Sequence, residues 1–238
     1  MNSVLRTMAI ARPAFVPFDE RRATRTYQRN LPHWRQEEVT YFVTFREADS
    51  IPEAIRLKWE EEKTLWLKAR GILYDGEKGR WHHAFEKLPF AEQMRFHKHF
   101  NRQVQSCLDR GLGQCYLRDL RCIQILRAKI LAWDGIRCHM GDFVIMPNHV
   151  HLLVTPARGE ELEMILKQVK GASAVECNRI LGRTGAFWQA ESYDHIVRSI
   201  EQLEQYRQYI ATNPANAGIT VGADACYVAS WMDGWLKP

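Results

Sequence analysis

The segment Met146-Pro147-Asn148-His149-Val150-His151-Leu152-Leu153-Val154 anchors the prediction of the fold, because it places two histidines inside an apolar run with strand character. Successive side chains of a strand alternate faces, so His149 and His151 project from the same side of one strand. Two imidazoles on one face can hold a divalent metal. Two half-buried histidines at a sheet edge would give the same pattern, so the pair alone leaves both interpretations open.

The segments around this strand predict an α+β fold. Residues 38–45 are typical of a first strand, and 119–133 and 162–182 carry the apolar spacing of two core helices. Residues 137–146 and 149–155 predict a strand pair, and 187–197 a last strand. The order βαββαβ is the ferredoxin-like arrangement, an antiparallel sheet with the histidine strand in a central position.

A final helix follows the last predicted strand. Ser199 and Gln202 have the spacing of a capping box, and Pro214 predicts that the helix ends at Asn213. Its apolar stripe comprises Ile200, Leu203, Tyr206 and Ile210. Tyr209 falls on the flank of that stripe, with Asn213 one turn further on. An amphipathic surface tyrosine would fit the position equally well, whereas Tyr206 is better explained as a packing residue.

The sequence divides into three parts. Residues 1–35 form a basic N-terminal arm, 36–218 the main domain and 219–238 a C-terminal tail. Within the domain, about 52–115 form a charged helical insertion after the first strand. Its histidines are expected to be solvated and not to bind a metal, because no cysteine or carboxylate pattern completes a zinc site; they are His82, His83, His97 and His99. The tail aromatics could stack on unpaired bases or dock the tail on the core; they are Tyr227, Trp231 and Trp235.

The arm holds seven arginines and two carboxylates, a net charge of +5 that equals the net charge of the whole chain. A basic arm ahead of a neutral body is typical of a tail that lies on a phosphate backbone. A solvated leader or a targeting peptide would look similar. The nucleic-acid-binding candidates of the arm are Arg21, Arg22, Arg25 and Arg29. Lys167 and Lys170 lie off the apolar stripe of the second core helix and could also meet phosphate, although ordinary solvated lysines would give the same pattern.

Composition favours a cytoplasmic protein. The chain has 238 residues with 46% hydrophobic content, enough for one sizeable domain, and no apolar run is long enough to span a bilayer. The N-terminal apolar stretch is too short for a signal peptide. Six scattered cysteines without a Cys-x-x-Cys pattern are expected to be reduced thiols.

Three further stretches accompany the histidine pair in a defined order. They are Arg29-Asn-Leu-Pro-His-Trp34 with Tyr41-Phe-Val-Thr-Phe45, then Phe187-Trp-Gln-Ala-Glu-Ser-Tyr-Asp-His-Ile-Val-Arg198, and Tyr209-Ile-Ala-Thr-Asn-Pro214. Together with His149-Val150-His151, this set resembles the single-tyrosine HUH transposases of the IS200-like type. The closer resemblance is to their REP-associated branch, whose members act on DNA hairpins.

The resemblance implies roles for individual residues. His149 and His151 would be catalytic metal ligands, Tyr209 the nucleophile and Asn213 a third ligand. The metal would be Mg²⁺ or Mn²⁺, and DNA nicking and strand transfer would pass through a covalent 5′-phosphotyrosine intermediate. The partner would be single-stranded or hairpin DNA, with Arg183 and Trp188 as further contacts, and the protein would be a monomer or a homodimer.

Two other classes of function remain open on the sequence. The same sheet topology occurs in RNA-recognition domains, although no aromatic RNP-type motif is present and Tyr209 would then be unexplained. A retained transposase that binds hairpins without cutting them is the other alternative. Intact His149, His151 and Tyr209 argue against it.

Overall fold

The histidine segment forms the central strand of a five-stranded antiparallel sheet. A computed structural model describes residues 10–28, 32–74 and 80–236. The strands are β1 (Arg25–Gln28), β2 (Pro32–Arg35), β3 (Tyr41–Arg46), β4 (Cys138–Ile145), β5 (His149–Pro156), β6 (Tyr193–Ile196) and β7 (Cys226–Tyr227). The helices are α1 (Glu53–Lys68), α2 (Arg80–Glu86), α3 (Phe90–Asp109), α4 (Leu120–Leu131), α5 (Leu162–Ile180) and α6 (Ile200–Asn216).

The predicted βαββαβ core is confirmed as β3-α4-β4-β5-α5-β6. The sheet order is β6-β3-β5-β4-β7 and every pairing is antiparallel, so β5 lies between β3 and β4. Each of β3 and β4 is hydrogen-bonded to β5 over most of its length. The two-residue strand β7 adds an edge that the sequence does not predict, and β1 pairs with β2 in a separate hairpin.

The two faces of the sheet carry different helices. Val150, Leu152 and Val154 of β5 pack in one apolar cluster with residues of α4 and α5. Leu153 points the other way and packs with residues of α6. Because side chains alternate along a strand, His149 and His151 lie on the α6 side of the sheet. The helix that carries Tyr209 therefore covers the histidine face.

A bulge in β4 anchors α6 to the sheet. The register with β5 shifts by one residue between Met140 and Phe143, which allows both side chains to face the α4 and α5 side. Asp142, inside the bulge, bonds Arg207 of α6 at 2.8 Å, and both side chains are nearly buried. Asp142 also accepts a hydrogen bond from the Ala229 amide. The pair fixes α6 two residues from Tyr209.

Helix α6 does not end where the sequence predicts. It continues to Asn216 with Pro214 inside its last turn, so the prediction that Pro214 stops the helix is wrong. A proline there removes only one backbone donor. The helix is closed by Gly218, which follows the C-cap with φ of +68°, and the Ile219 amide donates to the Pro214 carbonyl at 2.9 Å in a Schellman cap.

Two strand boundaries also differ from prediction. The first core strand begins at Tyr41 and not at 38, because Glu38 has a left-handed φ of 62° that breaks extended geometry. The last strand covers only Tyr193–Ile196, not 187–197. Trp188 makes one isolated bridge to Glu47, and the chain then leaves the ladder before β6.

The arm and the tail are more ordered than the sequence suggests. The Ile10 amide donates to the Gly135 carbonyl, Arg12 pairs with Asp134, and Phe15 packs edge-on against Trp235. The tail docks on the core through indole N–H donors, with Trp231 bonded to the Met140 carbonyl. The described part of the arm is therefore folded against the body, while residues 1–9 and 29–31 lie outside the described ranges.

The insertion is a helical unit with its own apolar clusters. One cluster joins α1, α2 and α3 around Trp81, Phe85 and Phe96, and a second surrounds Cys107 and Leu108. The expectation that its histidines are solvated is wrong for His82, which is 5% exposed and stacked on Trp81. None of the helices in the described ranges combines the length and apolarity that crossing a membrane requires.

Candidate active site

The two imidazoles of β5 face each other inside the protein. Their Nε2 atoms are 3.1 Å apart, and both side chains are fully buried. His149 donates from Nδ1 to the Asn148 Oδ1 at 2.7 Å, while the Nδ1 of His151 bonds the hydroxyl of Thr44, its cross-strand neighbour, at 2.7 Å. Partners on Nδ1 orient both rings and leave the Nε2 atoms directed at each other.

Burial keeps both imidazoles neutral. It lowers the pKa of His149 to about 3. The pKa of His151 also lies well below its ordinary value, first because of burial and second because of repulsion from His149. A neutral imidazole with a free lone pair is the form that binds a metal.

Tyr209 reaches the same place from α6. Its hydroxyl lies 3.4 Å from the His151 Nε2, and its ring packs edge-on against His151 and Phe42. Burial and then the charge of Asp109 raise the pKa of the phenol, and a hydrogen bond from the Asn213 side chain opposes them. The phenol is therefore protonated at neutral pH, and it becomes an effective nucleophile only when positive charge is placed beside it.

Asn213 lies one helical turn beyond Tyr209 with an unsatisfied acceptor. The residue is 2% exposed, and its Oδ1 has no hydrogen-bond partner among the described residues. A buried polar atom left in this way costs about 1–3 kcal/mol. A cation bound at Oδ1 would remove that cost.

The donor set fits a divalent ion. Neighbouring ligands of an octahedral ion with bonds of about 2.1 Å are about 3.0 Å apart, close to the separation of the Nε2 atoms. Within the described ranges, no group of three or more His, Cys, Asp or Glu side chains could hold a metal. His149, His151 and Asn213 differ from such a group because the third donor is an amide oxygen.

Helix α3 of the insertion supplies two side chains that the sequence does not single out. Gln105 donates from Nε2 to the Asp109 Oδ1 at 2.9 Å, and the same atom lies 3.4 Å from the His151 Nε2. Burial raises the pKa of Asp109, while hydrogen bonds from Gln105 and Asn213 oppose the shift. No motif in the sequence marks these residues, because only the placement of α3 brings them to the histidines.

Arg46 is a third residue near the site that the sequence does not single out. It pairs with His149 across β3 and β5, so its side chain lies on the histidine face. The guanidinium donates to the Ser50 hydroxyl at 3.1 Å, and burial lowers its pKa. A half-buried cation thus accompanies the imidazole pair.

The predicted nucleic-acid contacts are scattered. Lys167 and Lys170 lie on α5, across the sheet from the histidines, and Lys170 bonds the Ala190 carbonyl. Arg183 bonds Asn178 and stacks over Tyr116. Trp188 is 7% exposed and donates to Ser173, so its ring is a packing surface in this structure. The arginines of the arm pair with carboxylates, as Arg21 with Asp19, Arg22 with Glu38 and Arg25 with Glu161, while Arg29 lies outside the described residues.

One protein-family model matches part of the chain. Residues 121–213 match the family model described as "Transposase IS200 like". This segment is therefore similar to the IS200-like transposases. The match spans α4 to α6 and includes His149, His151, Tyr209 and Asn213, so the resemblance predicted from the sequence is confirmed at the level of this family. It indicates a transposase-type function on DNA. The insertion helices precede the matched segment, so α3 adds to the site from outside it.

Two solved structures are similar to the chain. One is a REP-associated tyrosine transposase bound to a REP hairpin, with 12% identity and a TM-score of 0.43 over 82% of this chain and 74% of that one. The other is a putative transposase from Deinococcus radiodurans R1, with 14% identity and a TM-score of 0.32 over 79% of this chain and 96% of that one. No curated protein matches the chain.

Proposed function

We propose that the protein is a metal-dependent enzyme that nicks single-stranded or hairpin DNA and transfers the strand through Tyr209. The observation that carries this proposal is the meeting of three groups within one chain. The Tyr209 hydroxyl lies 3.4 Å from the His151 Nε2 of the imidazole pair, and the unpartnered Asn213 oxygen belongs to the residue one helical turn beyond Tyr209. The match of residues 121–213 to the IS200-like transposases supports this class of reaction.

His149, His151 and Asn213 would hold the metal, which we propose to be Mg²⁺ or Mn²⁺. When bound, the ion polarises the scissile phosphate and neutralises charge that develops during transfer. The chain holds both imidazoles neutral by burial and fixes their rings through Thr44 and Asn148. These contacts prepare the ligands before any ion arrives.

Tyr209 carries the covalent step. Its Oη attacks phosphorus, a Tyr–O–P bond forms, and the bond from phosphorus to the 3′-oxygen breaks. The phenol loses its proton and the released 3′-oxygen gains one, so the step is balanced and leaves a 5′-phosphotyrosine and a 3′-hydroxyl. Phe42 and His151 hold the ring on two sides during attack. Because the phosphodiester is conserved, rejoining to another 3′-hydroxyl requires no ATP.

A hairpin substrate is proposed on the resemblance of the ordered motifs to the REP-associated branch. We propose that the enzyme acts in the cytoplasm and in DNA transposition, as a monomer or a homodimer. The binding-only alternative of an RNA-recognition sheet has less support, because α4 and α5 pack on one face and α6 on the other. The presence of His149, His151 and Tyr209 argues against a retained transposase that binds hairpins without cutting them.

The test is a denaturing gel of labelled hairpin DNA incubated with the protein and Mn²⁺ or Mg²⁺. We expect a slow, protease-sensitive band that requires metal and is absent from Tyr209→Phe. Tyr206→Phe is the matched control, because Tyr206 lies one turn away on α6 and stacks on Phe42 at 4.2 Å. The control should keep the band. A band that survives in Tyr209→Phe contradicts the assignment of the nucleophile, and tight binding without a band in the wild type favours a binding-only protein.

A further inference from the structure

A cleft opens beside the candidate active site, between the C-terminal turns of α3 and the end of α6. Its volume is about 780 Å³, and its walls include Arg102, Gln105, Asp109 and Arg110 on one side and Asn216 and Ala217 on the other. We propose that this cleft binds the unpaired DNA strand that adjoins the scissile phosphate. The inference rests on the proposed function and assigns its strand-binding site.

Two arginines give the cleft its chemistry. Arg102 and Arg110 are both exposed, and neither has a hydrogen bond or ion pair from its side chain within the described ranges. The guanidinium of Arg118 lies nearby, 3.7 Å from the place that a Cβ on Gly111 would occupy. Guanidinium groups without a carboxylate partner bind phosphate oxygens well, because their donors match the geometry of the anion.

The cleft is continuous with the catalytic groups. Gln105 lines the cleft and also lies 3.4 Å from the His151 Nε2. Asp109 lines it too, and the nearby Asn213 side chain acts to lower the pKa of its carboxyl group. A strand in the cleft therefore reaches the imidazole pair through a single layer of side chains. The amides of Gln105 and Asn216 can meanwhile bond the edges of unpaired bases.

A second cleft, beside the described part of the arm, is less suited to phosphate. It measures about 1050 Å³ and is lined by three arginines and five glutamates. Carboxylates outnumber cations there, so the interior of this cleft suits a phosphate backbone less than the α3 cleft does. The α3 cleft, with two unpaired arginines and one carboxylate, favours a single strand, which proteins generally bind in a positive groove that follows the backbone.

The experiment measures binding in the Tyr209→Phe background, so that cleavage does not interfere. Fluorescence anisotropy would compare a hairpin with unpaired extensions and the same hairpin with blunt ends, over a series of salt concentrations. The variant is Arg102→Gln with Arg110→Gln. The matched control is Arg158→Gln with Arg179→Gln, which removes the same charge from two exposed positions elsewhere.

We expect the cleft variant to lose about tenfold or more in affinity for the extended hairpin, as the loss of charge-assisted hydrogen bonds predicts. The slope of log K against log salt should decrease by about 1.4, or about 0.7 for each lost contact to a single strand. Binding of the blunt hairpin should not change. Replacing both residues by Lys should restore the salt slope.

Three results would overturn the inference: unchanged affinity in the cleft variant, an equal loss in the control, or an equal loss with the blunt hairpin. If the wild type forms the phosphotyrosine band but the cleft variant binds normally, only the cleft assignment fails. If the wild type neither binds the hairpin nor forms the band, the proposed function fails first. The thermal midpoint of each variant shows that the comparison is between folded proteins.

Discussion

At the scale of single residues, Asn213 gives the sharpest test of the metal site. Because its Oδ1 is buried without a partner, bound Mn²⁺ should stabilise the fold, since an ion that binds only the native state raises the unfolding midpoint. We expect Asn213→Ala in the Tyr209→Phe background to reduce Mn²⁺ affinity about tenfold or more, by analogy with the loss of groups that support a metal. Calorimetric titration and the Mn²⁺-induced shift in Tm would measure it.

The control for that prediction is Asn216→Ala, three residues further along α6 and exposed. It should retain the full Mn²⁺ response. An equal response in Asn213→Ala would remove Asn213 from the ligand set while leaving the histidines in place.

Glu47 predicts how stability depends on pH. The residue is fully buried and accepts hydrogen bonds from the Leu117 and Tyr116 amides, and burial raises its pKa from 4.5 to about 7. The folded state therefore holds the proton more tightly than the unfolded chain. Its contribution to stability is complete below about pH 4.5 and is lost as pH rises through 7.

We expect the Tm of Glu47→Gln to increase relative to the Tm of the wild type as the pH rises from about 5 to 8. The pKa shift of Glu47 corresponds to a change of at most about 3 kcal/mol in the free energy of unfolding. Thermal unfolding at several pH values measures the difference. Glu204→Gln, at an exposed position of α6, is the control and should follow the wild type at every pH. A constant difference between Glu47→Gln and the wild type would contradict the assignment.

Residue patterns predict only part of the candidate site. The spacing of His149 and His151 places them on one face, and the helical period places Asn213 one turn from Tyr209, because both relations are local. Gln105 and Arg46 could not be predicted in this way. They reach the histidines through the docking of α3 and the register of β3 with β5, which no local pattern determines.

At the scale of elements, the described part of the arm makes a separate prediction. Arg21 and Arg25 pair with carboxylates, but their side chains are 92% and 82% exposed, so these pairs contribute little to stability. The two arginines can exchange their partners for phosphates. If they contact the stem, Arg21→Gln with Arg25→Gln should weaken the blunt and the extended hairpin equally.

The salt dependence of binding again provides the measurement. We expect the slope of log K against log salt to decrease by about 1.8 for two contacts to duplex DNA. Arg158→Gln with Arg179→Gln serves as the control. A slope equal to that of the wild type would show that these arginines do not touch the backbone.

The elements themselves are predicted well where a period is long. Helices α4 and α5 and strands β4 and β5 agree with the sequence to within a few residues, because each carries a continuous apolar pattern. The hairpin of β1 and β2 and the short edge strand β7 were missed, since segments of two to four residues carry no such pattern. The prediction from Pro214 was wrong because this proline lies inside the last turn of α6, where it does not stop the helix. The cap that follows Asn216 decides where α6 ends.

At the scale of the whole molecule, one chain assembles the complete set of candidate catalytic groups. The Tyr209 hydroxyl lies 3.4 Å from His151 of the same chain, and Asp142 and Arg207 hold α6 on that sheet. A mixture of Tyr209→Phe and His151→Ala proteins should therefore form no phosphotyrosine band. Recovery of the band in the mixture, beyond either protein alone, would show that α6 exchanges between two copies. Mixing each variant with the wild type controls for inhibition by the inactive chain.

The central position of β5 and the separate apolar clusters of the insertion have a consequence for hydrogen exchange. Backbone amides of a strand hydrogen-bonded on both sides exchange only when the sheet opens as a whole, so His151 and its neighbours should be among the last to take up deuterium. The helices α1 to α3 pack mainly among themselves and can open as a smaller cooperative unit. The strand that carries the imidazole pair would then stay folded while the unit of α1 to α3 opens. Each opening would expose the pair on the side of Gln105.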